Sequence, residues 1–201
     1  MTETNGRARV DGKALDTLFL EARTHTAWHP RRVPEGLLRE AYELARMGPT
    51  SANGSPARFV FLTSAAAKER LAPALIPGNV EKTRSAPVTV IVAQDMEFYE
   101  QLPKLAPAID ARSWFVGNPG LVADTAARNS SLQGAYFILA ARALGLDCGP
   151  MSGFDPEKIN AEFFPDGKWR ANFLCNVGYG DAEKLYPRAP RLDFDDACRV
   201  L

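Results

Sequence analysis

Residues 46–59 read RMGPTSANGSPARF, and the residue types crowded into this stretch are the ones that serve a ligand. Two prolines, two glycines, two serines, a threonine and an asparagine fall between a helical pattern and a strand pattern. A turn needs only about two to four such residues. The surplus points to a loop whose fixed backbone and short polar side chains face a bound molecule, through Pro49, Thr50, Ser51 and Asn53. Three other places share this character. Arg23 and Thr24, at the end of the first helical pattern, pair a guanidinium with a hydroxyl and suit a phosphate or a polyol chain, or else a solvated surface. Asn79 follows Gly78 and offers a carboxamide to a ring edge or to its own turn. Residues 149–155, GPMSGFD, form a break in which a backbone N–H can approach a ligand closely, because glycine has no Cβ in the way. Together these pieces ask for a large, flat, phosphorylated ligand.

Other chemistries find less support. A phosphate-binding GxxxxGK[ST] loop needs a lysine and a spacing that Gly48 to Gly54 lacks. Gly178-Tyr179-Gly180 follows a strand pattern but leads into DAEKLYP rather than the helix a dinucleotide fingerprint requires. In GPMSG the serine is displaced by one position from a nucleophile elbow. His25 and His29 stand at i, i+4, but Trp28 and Pro30 work against the helix that would align them, and no third ligand accompanies them, so no metal site is expected.

The elements that position these residues alternate between helix and strand. ALDTLFLEAR (14–23) places Leu15, Leu18 and Phe19 at helical spacing. Pro34 opens a second amphipathic helix that stops at Gly48-Pro49. RFVFLT reads as a buried strand, SAAAKERLAPAL as a short helix and APVTVIVAQD as a second buried strand. Residues 97–119 are irregular, with aromatic residues in SWF, and read as a lid-like excursion. The longest helical pattern covers residues 121–144 and ends at Gly145; a last strand, NFLCNVGYGD, precedes a tail rich in proline and arginine. Strands alternating with helices place the chain in the α/β or α+β class on one sheet.

Composition sets outer bounds. A length of 201 residues suits one domain or one protomer of an intertwined dimer. Basic and acidic residues number 24 each, so net charge draws the chain neither to nucleic acid nor to an anionic membrane. The beginning, MTETNGRARVDGK, holds no signal-like apolar run, and no stretch approaches the roughly 18 apolar residues of a membrane span, which makes the expected location cytoplasmic. Cys148, Cys175 and Cys198 form no CxxC pair and read as ordinary thiols.

The order of the polar pieces resembles that of the nitroreductase-like flavoprotein family. Arg23-Thr24, the loop from Pro49 to Pro56, Gly78-Asn79, Leu144 to Asp155 and Asn176 to Asp181 follow one another as the family's elements do. The stretches ARTHTAW, GPTSANGSPAR, EFYEQLP, DARSWF, RNSSLQGAY and GLDCGPMSGFD look like its malonic semialdehyde reductase branch, associated with pyrimidine degradation. The resemblance implies an α+β, nitroreductase-like fold spanning residues 1–201 as one domain, with 1–13 flexible, a central mainly antiparallel sheet flanked by helices, and an intertwined homodimer. It implies FMN in a groove at the dimer interface and NADPH or NADH as electron donor. Arg23 and Thr24 would meet the phosphate and ribityl end, Pro49, Thr50, Ser51 and Asn53 the isoalloxazine, and Asn79 the ribityl or pyrimidine part. Met151 would border the flavin, Ser152 and Gly153 would offer backbone N–H groups near N5, and Arg191 would close on the phosphate. A hydride would pass from NAD(P)H through flavin N5 to malonic semialdehyde, with Arg112 holding the substrate carboxylate unless Asp110 occupies it. The same scaffold also suits a general nitro or quinone reductase, or a non-catalytic flavin-binding protein. Thr26, Ser55-Pro56-Ala57 and Ser152 depart from the family pattern, which shifts phosphate binding toward Arg23 and Arg191.

Overall fold

The computed structural model describes residues 8–201. Its elements in chain order are α1 (Gly12–Leu15), α2 (Glu35–Ala45), β1 (Ala57–Leu62), α3 (Ala65–Leu71), α4 (Pro77–Ser85), β2 (Val88–Asp95), α5 (Leu102–Leu105), α6 (Pro119–Ala143), β3 (Asp147–Met151), α7 (Pro156–Phe163), β4 (Trp169–Gly178) and α8 (Phe194–Ala197). The four strands form one antiparallel sheet in the order β1-β2-β4-β3, as expected for the α+β class.

β2 is central because its sequence, VTVIVAQD, can be buried on both faces. Val88, Val90 and Val92 point into a core built with Leu38 and Ala41 of α2 and Phe137 and Ala141 of α6. Ile91 and Ala93 point the other way, into a core with Leu71, Ile159 and Phe164. Between Val92 and Ala93 the pairing with β4 skips Asn172, and this bulge sends the Asn172 amide to the hydroxyls of Ser130 (2.7 Å) and Ser131 (3.0 Å) on α6. A third core, of Phe98, Leu102, Ala111, Phe115, Val122 and Ala126, lies within the excursion and the start of α6. Residues 97–119 are therefore not structureless; their short helical turns pack on an apolar centre of their own.

Several expectations shift. Two helices, α4 and α7, lie outside the elements expected from the sequence; α4 carries little apolar periodicity, and α7 is only eight residues long. β3 was read only as a glycine-containing break; Pro150 fits a strand there because β3 is an edge of the sheet. The first helix is α1 followed by a wider-turned segment, Asp16–Leu20, and its Phe19 and Leu20 remain 54% and 62% exposed. Of the segment 1–13, expected to be flexible, residues 1–7 lie outside the described residues, and α1 starts at Gly12 under an Asp11 cap. Among the described residues no helix is long and apolar enough to cross a membrane.

Candidate functional site

The loop that leads into β1 is held in an uncommon backbone shape. Ala52, Asn53 and Ser55 have φ values of 50°, 54° and 42°, the left-handed region that non-glycine residues enter at a cost of about 1–3 kcal/mol each. Compensating bonds come from α6 and β1. Asn129 accepts the Ser51 N–H (2.8 Å), Gln133 accepts the Ala57 N–H (2.8 Å), and Arg58 donates to the Ser55 carbonyl (2.9 Å) while paired with Asp95. Asn129 and Gln133 are buried, two amides at i, i+4 on the inward face of α6. That polar stripe was visible in the sequence as part of a helical pattern, without its purpose. Within the loop the Thr50 hydroxyl accepts the Ser55 N–H (3.1 Å), and the Asn53 amide donates to the Leu105 carbonyl in the excursion (2.8 Å). Pro49, Ser51 and Asn53 are exposed and Thr50 half-buried, so the outer wall of the loop is open.

A second group gathers at the opposite edge of the sheet. The chain from Thr24 to His25 lies alongside β3, Thr24 bridging Cys148 and the His25 N–H donating to the Cys148 carbonyl (3.0 Å). This close approach requires Gly149, since a Cβ there would stand 2.3 Å from the His25 carbonyl oxygen. His25 is buried, with Nε2 3.4 Å from Asp147, whose other oxygen accepts the Gly180 N–H (2.8 Å). At the end of β3, half-buried Met151 leads into Ser152 and Gly153. The Gly153 carbonyl accepts from the Ile76 N–H (3.2 Å) and from the Asn79 amide (3.0 Å). Asn79, expected at the ligand, is buried and gives one of its two amide N–H groups to this bracing bond. A Cβ on Gly153 would meet Ile76 at 2.5 Å and Asn79 at 2.7 Å. Neither the Ser152 nor the Gly153 N–H donates to any described residue, so both remain available to a ligand.

Arginines shape the end of this second group. Half-buried Arg23 donates to the Tyr186 carbonyl, and Arg188 donates to the carbonyls of Leu20 (2.7 Å) and Ala22 (3.3 Å). The tail is thus folded back over the residues before Thr24 by guanidinium–carbonyl bonds in both directions. Exposed Arg191 bonds, among the described residues, the neighbouring carbonyls of Ala189 (2.9 Å) and Pro190 (3.1 Å). Arg188 was not singled out from the sequence, although the proline- and arginine-rich tail carries it.

Arg112 behaves differently from the expectation. Its guanidinium is engaged by Glu100, with Nε–Oε2 and Nη2–Oε1 both 2.8 Å, and Asp110 is not the partner. The hydrogen bond holds the Glu100 carboxyl below its usual 4.5 and raises the Arg112 guanidinium. A cavity of about 310 Å³ beside it is lined by Pro103, Pro107, Ala108, Ile109, Asp110 and Arg112. A second cavity, about 1080 Å³, lies between α2 and β1 and shares no candidate residue. The candidate groups lie apart: two strands separate the β1 edge from the β3 edge, three spacings of about 4.8 Å.

The profile of the nitroreductase family matches residues 20–179. This chain belongs to the nitroreductase family. Among its relatives in that family are a protein of Ralstonia nicotianae, 59% identical over 96% of this chain and 98% of its own length, and one of Rhodopseudomonas palustris, 62% identical over 93% and 95%. Both are provisionally named NADH dehydrogenase/NAD(P)H nitroreductase. A provisionally assigned nitroreductase of Exiguobacterium sibiricum, solved in complex with FMN, superposes with a TM-score of 0.83 at 21% identity, covering 97% of this chain and 99% of its own. A Bacillus subtilis nitroreductase, also provisionally assigned, gives 0.83 at 23% identity over 94% and 99%. These two likenesses concern the nitroreductase fold.

Proposed function

We propose that this chain works as a homodimeric, NAD(P)H-dependent FMN reductase whose acceptor is malonic semialdehyde, reduced at the aldehyde carbon to 3-hydroxypropionate, the reaction of pyrimidine degradation. The observation that carries this reading is the division of the site between two edges of one sheet. The loop at Pro49–Asn53 stands at the β1 edge; Arg23, Thr24, Ser152 and Gly153 stand at the β3 edge. A twofold partner would set the loop of one protomer against the β3 edge of the other and build two equal sites. Exposed Tyr42, Leu44 and Met47 near the end of α2 and Leu132 and Tyr136 on α6 supply apolar surface for that contact.

The residues present fit FMN. Ser152 and Gly153 offer two undirected N–H groups on a backbone fixed by Asn79, suited to hold the N5 edge and to favour negative charge developing there. Arg23, with Thr24 and Arg191, provides cationic and hydroxyl donors for a phosphate and ribityl chain. Pro49, Thr50, Ser51 and Asn53 form a wall whose shape does not relax on binding, because α6 holds it. The complex of the Exiguobacterium sibiricum neighbour with FMN supports the same choice. When bound, FMN supplies the hydride chemistry between NAD(P)H and acceptor. Arg112, on an excursion built against the loop, holds the acceptor's carboxylate. The proton on the product alcohol is assigned to water.

One observation favours a second reading: Glu100 already fills the Arg112 fork, which suits neutral quinones or nitro compounds as acceptors, in line with the names of the relatives. An anaerobic absorbance spectrum decides. FMN-loaded protein should bleach with NADPH or NADH and regain its oxidised spectrum with malonic semialdehyde. Recovery with a quinone alone would transfer the assignment to the second reading, and failure to retain flavin would overturn both.

A further inference from the structure

The pair between Glu100 and Arg112 has the geometry of a bound carboxylate: two parallel N–H···O bonds of 2.8 Å, the fork in which a guanidinium takes an acid. It is not what holds the excursion together. Glu100 sits in the turn Phe98–Gln101 and Arg112 in the turn Ala111–Trp114, and those turns are joined by Phe98 and Phe115, edge to face at 4.9 Å, with Tyr99 stacked on Phe115 at 6.2 Å. Both partners of the pair remain over two-fifths exposed, 43% for Arg112 and 44% for Glu100. Exposed pairs are weak and exchange readily. The 310 Å³ cavity opens directly on Arg112, and the other charged group lining it, Asp110, is acidic. An anion entering therefore meets one cation, already occupied, and a repelling carboxylate. The same excursion leans on the loop assigned to the flavin, through Ala52 in its apolar core and the bond from Asn53 to the Leu105 carbonyl.

We infer that Glu100 is a built-in competitor for the acceptor's carboxylate: it occupies the Arg112 fork between turnovers and must swing out before a short carboxylic-acid substrate is held. This rests on the reading of Arg112 as the carboxylate site. The intramolecular acid sets an upper limit on affinity for acidic acceptors and leaves neutral ones unaffected, so it tunes the choice between the two classes. Because the displaced pair is exposed, the tuning amounts to about three- to fivefold.

The test compares FMN-loaded wild type with Glu100→Gln, using malonic semialdehyde and propanal, a neutral aldehyde of the same chain length. The ratio of KM for the acid to KM for propanal should fall about three- to fivefold in Glu100→Gln, and the fall should vanish when Arg112→Ala is added. An unchanged or increased ratio overturns the inference. Glu100→Asp, whose shorter side chain reaches the fork less well, should shift the ratio the same way by less and serves if the glutamine variant folds poorly. Should wild type reduce a neutral quinone but no semialdehyde, the substrate assignment has failed on its own, and malonate becomes the probe. Its inhibition constant against quinone reduction should then fall in Glu100→Gln; the same constant in both proteins would refute the competitor.

Discussion

The candidate groups at the β1 edge and at the β3 edge are built on opposite principles. At the β1 edge the backbone is forced into left-handed turns at three non-glycine residues and held there by buried amides of α6. At the β3 edge the backbone is relaxed and extended, and its special property is closeness: Thr24–His25 against Gly149, and Gly153 against Asn79. One edge fixes shape through hydrogen bonds from a distant helix, the other through the absence of side chains. The lesson is that the first should fail by loosening and the second by steric exclusion, and substitutions can separate the two.

The largest effect is expected from Gly149→Ala. Its Cβ would collide with backbone, which cannot rotate away, so stability should fall by about 3 kcal/mol and the Arg23–Thr24 segment should lose its seat. Thermal unfolding would register this as a drop of roughly 6–12 °C for a chain of this size. Next comes Gln133→Leu, which strands the buried Ala57 N–H at the β1 edge and should cost about 2 kcal/mol in denaturant unfolding. Flavin should be retained less well in both, but only the Gln133 variant should gain amide exchange confined to residues 49–57.

Arg23→Ala removes the half-buried guanidinium proposed for the FMN phosphate, and FMN affinity should drop about tenfold, near 1.4 kcal/mol, with little change in unfolding. Mixed with the Gln133 variant under conditions that exchange protomers, it sharpens the comparison further. Random pairing restores one intact site in each heterodimer, so about a quarter of the sites should recover; no recovery would place both half-sites in one protomer. The smallest effect concerns the Glu100–Arg112 pair. Because the Glu100 carboxyl is held below 4.5, whatever stability the pair adds is complete above that pH and lost as pH falls through the lowered value. The stability difference between wild type and Glu100→Gln, measured by urea unfolding, should therefore shrink from pH 7 toward pH 3.

Much of this was legible beforehand, unevenly. Strand β2 and helix α6 announced themselves through burial and period, and the loop at 46–59 through its excess of turn residues. Strand β3 did not, since proline and glycine mask an edge strand, and α4, PGNVEKTRS, has too few apolar residues to show a face. Asn79 illustrates a different limit. Its residue type suggested a ligand contact, but a carboxamide braces a backbone as well as it binds a ring, and only the fold shows which neighbour is within reach. For Arg112 the sequence offers a substrate carboxylate or the nearby Asp110 as partner; the aromatic cluster brings Glu100 to it. That Asn129 and Gln133 support a loop some 76 to 78 residues away follows from tertiary packing that no local pattern encodes.

Ser55 carries a practical consequence for anyone seeking a hardier protein. Its left-handed φ of 42° suits glycine, and its role as donor to Thr50 uses the main chain alone, so Ser55→Gly keeps every bond described for that residue. Glycine would relieve a conformational penalty of about 1–2 kcal/mol in the native chain and add somewhat less in unfolded-state freedom. A modest gain in heat resistance is the expected balance, obtained by slackening a loop that three left-handed residues hold taut.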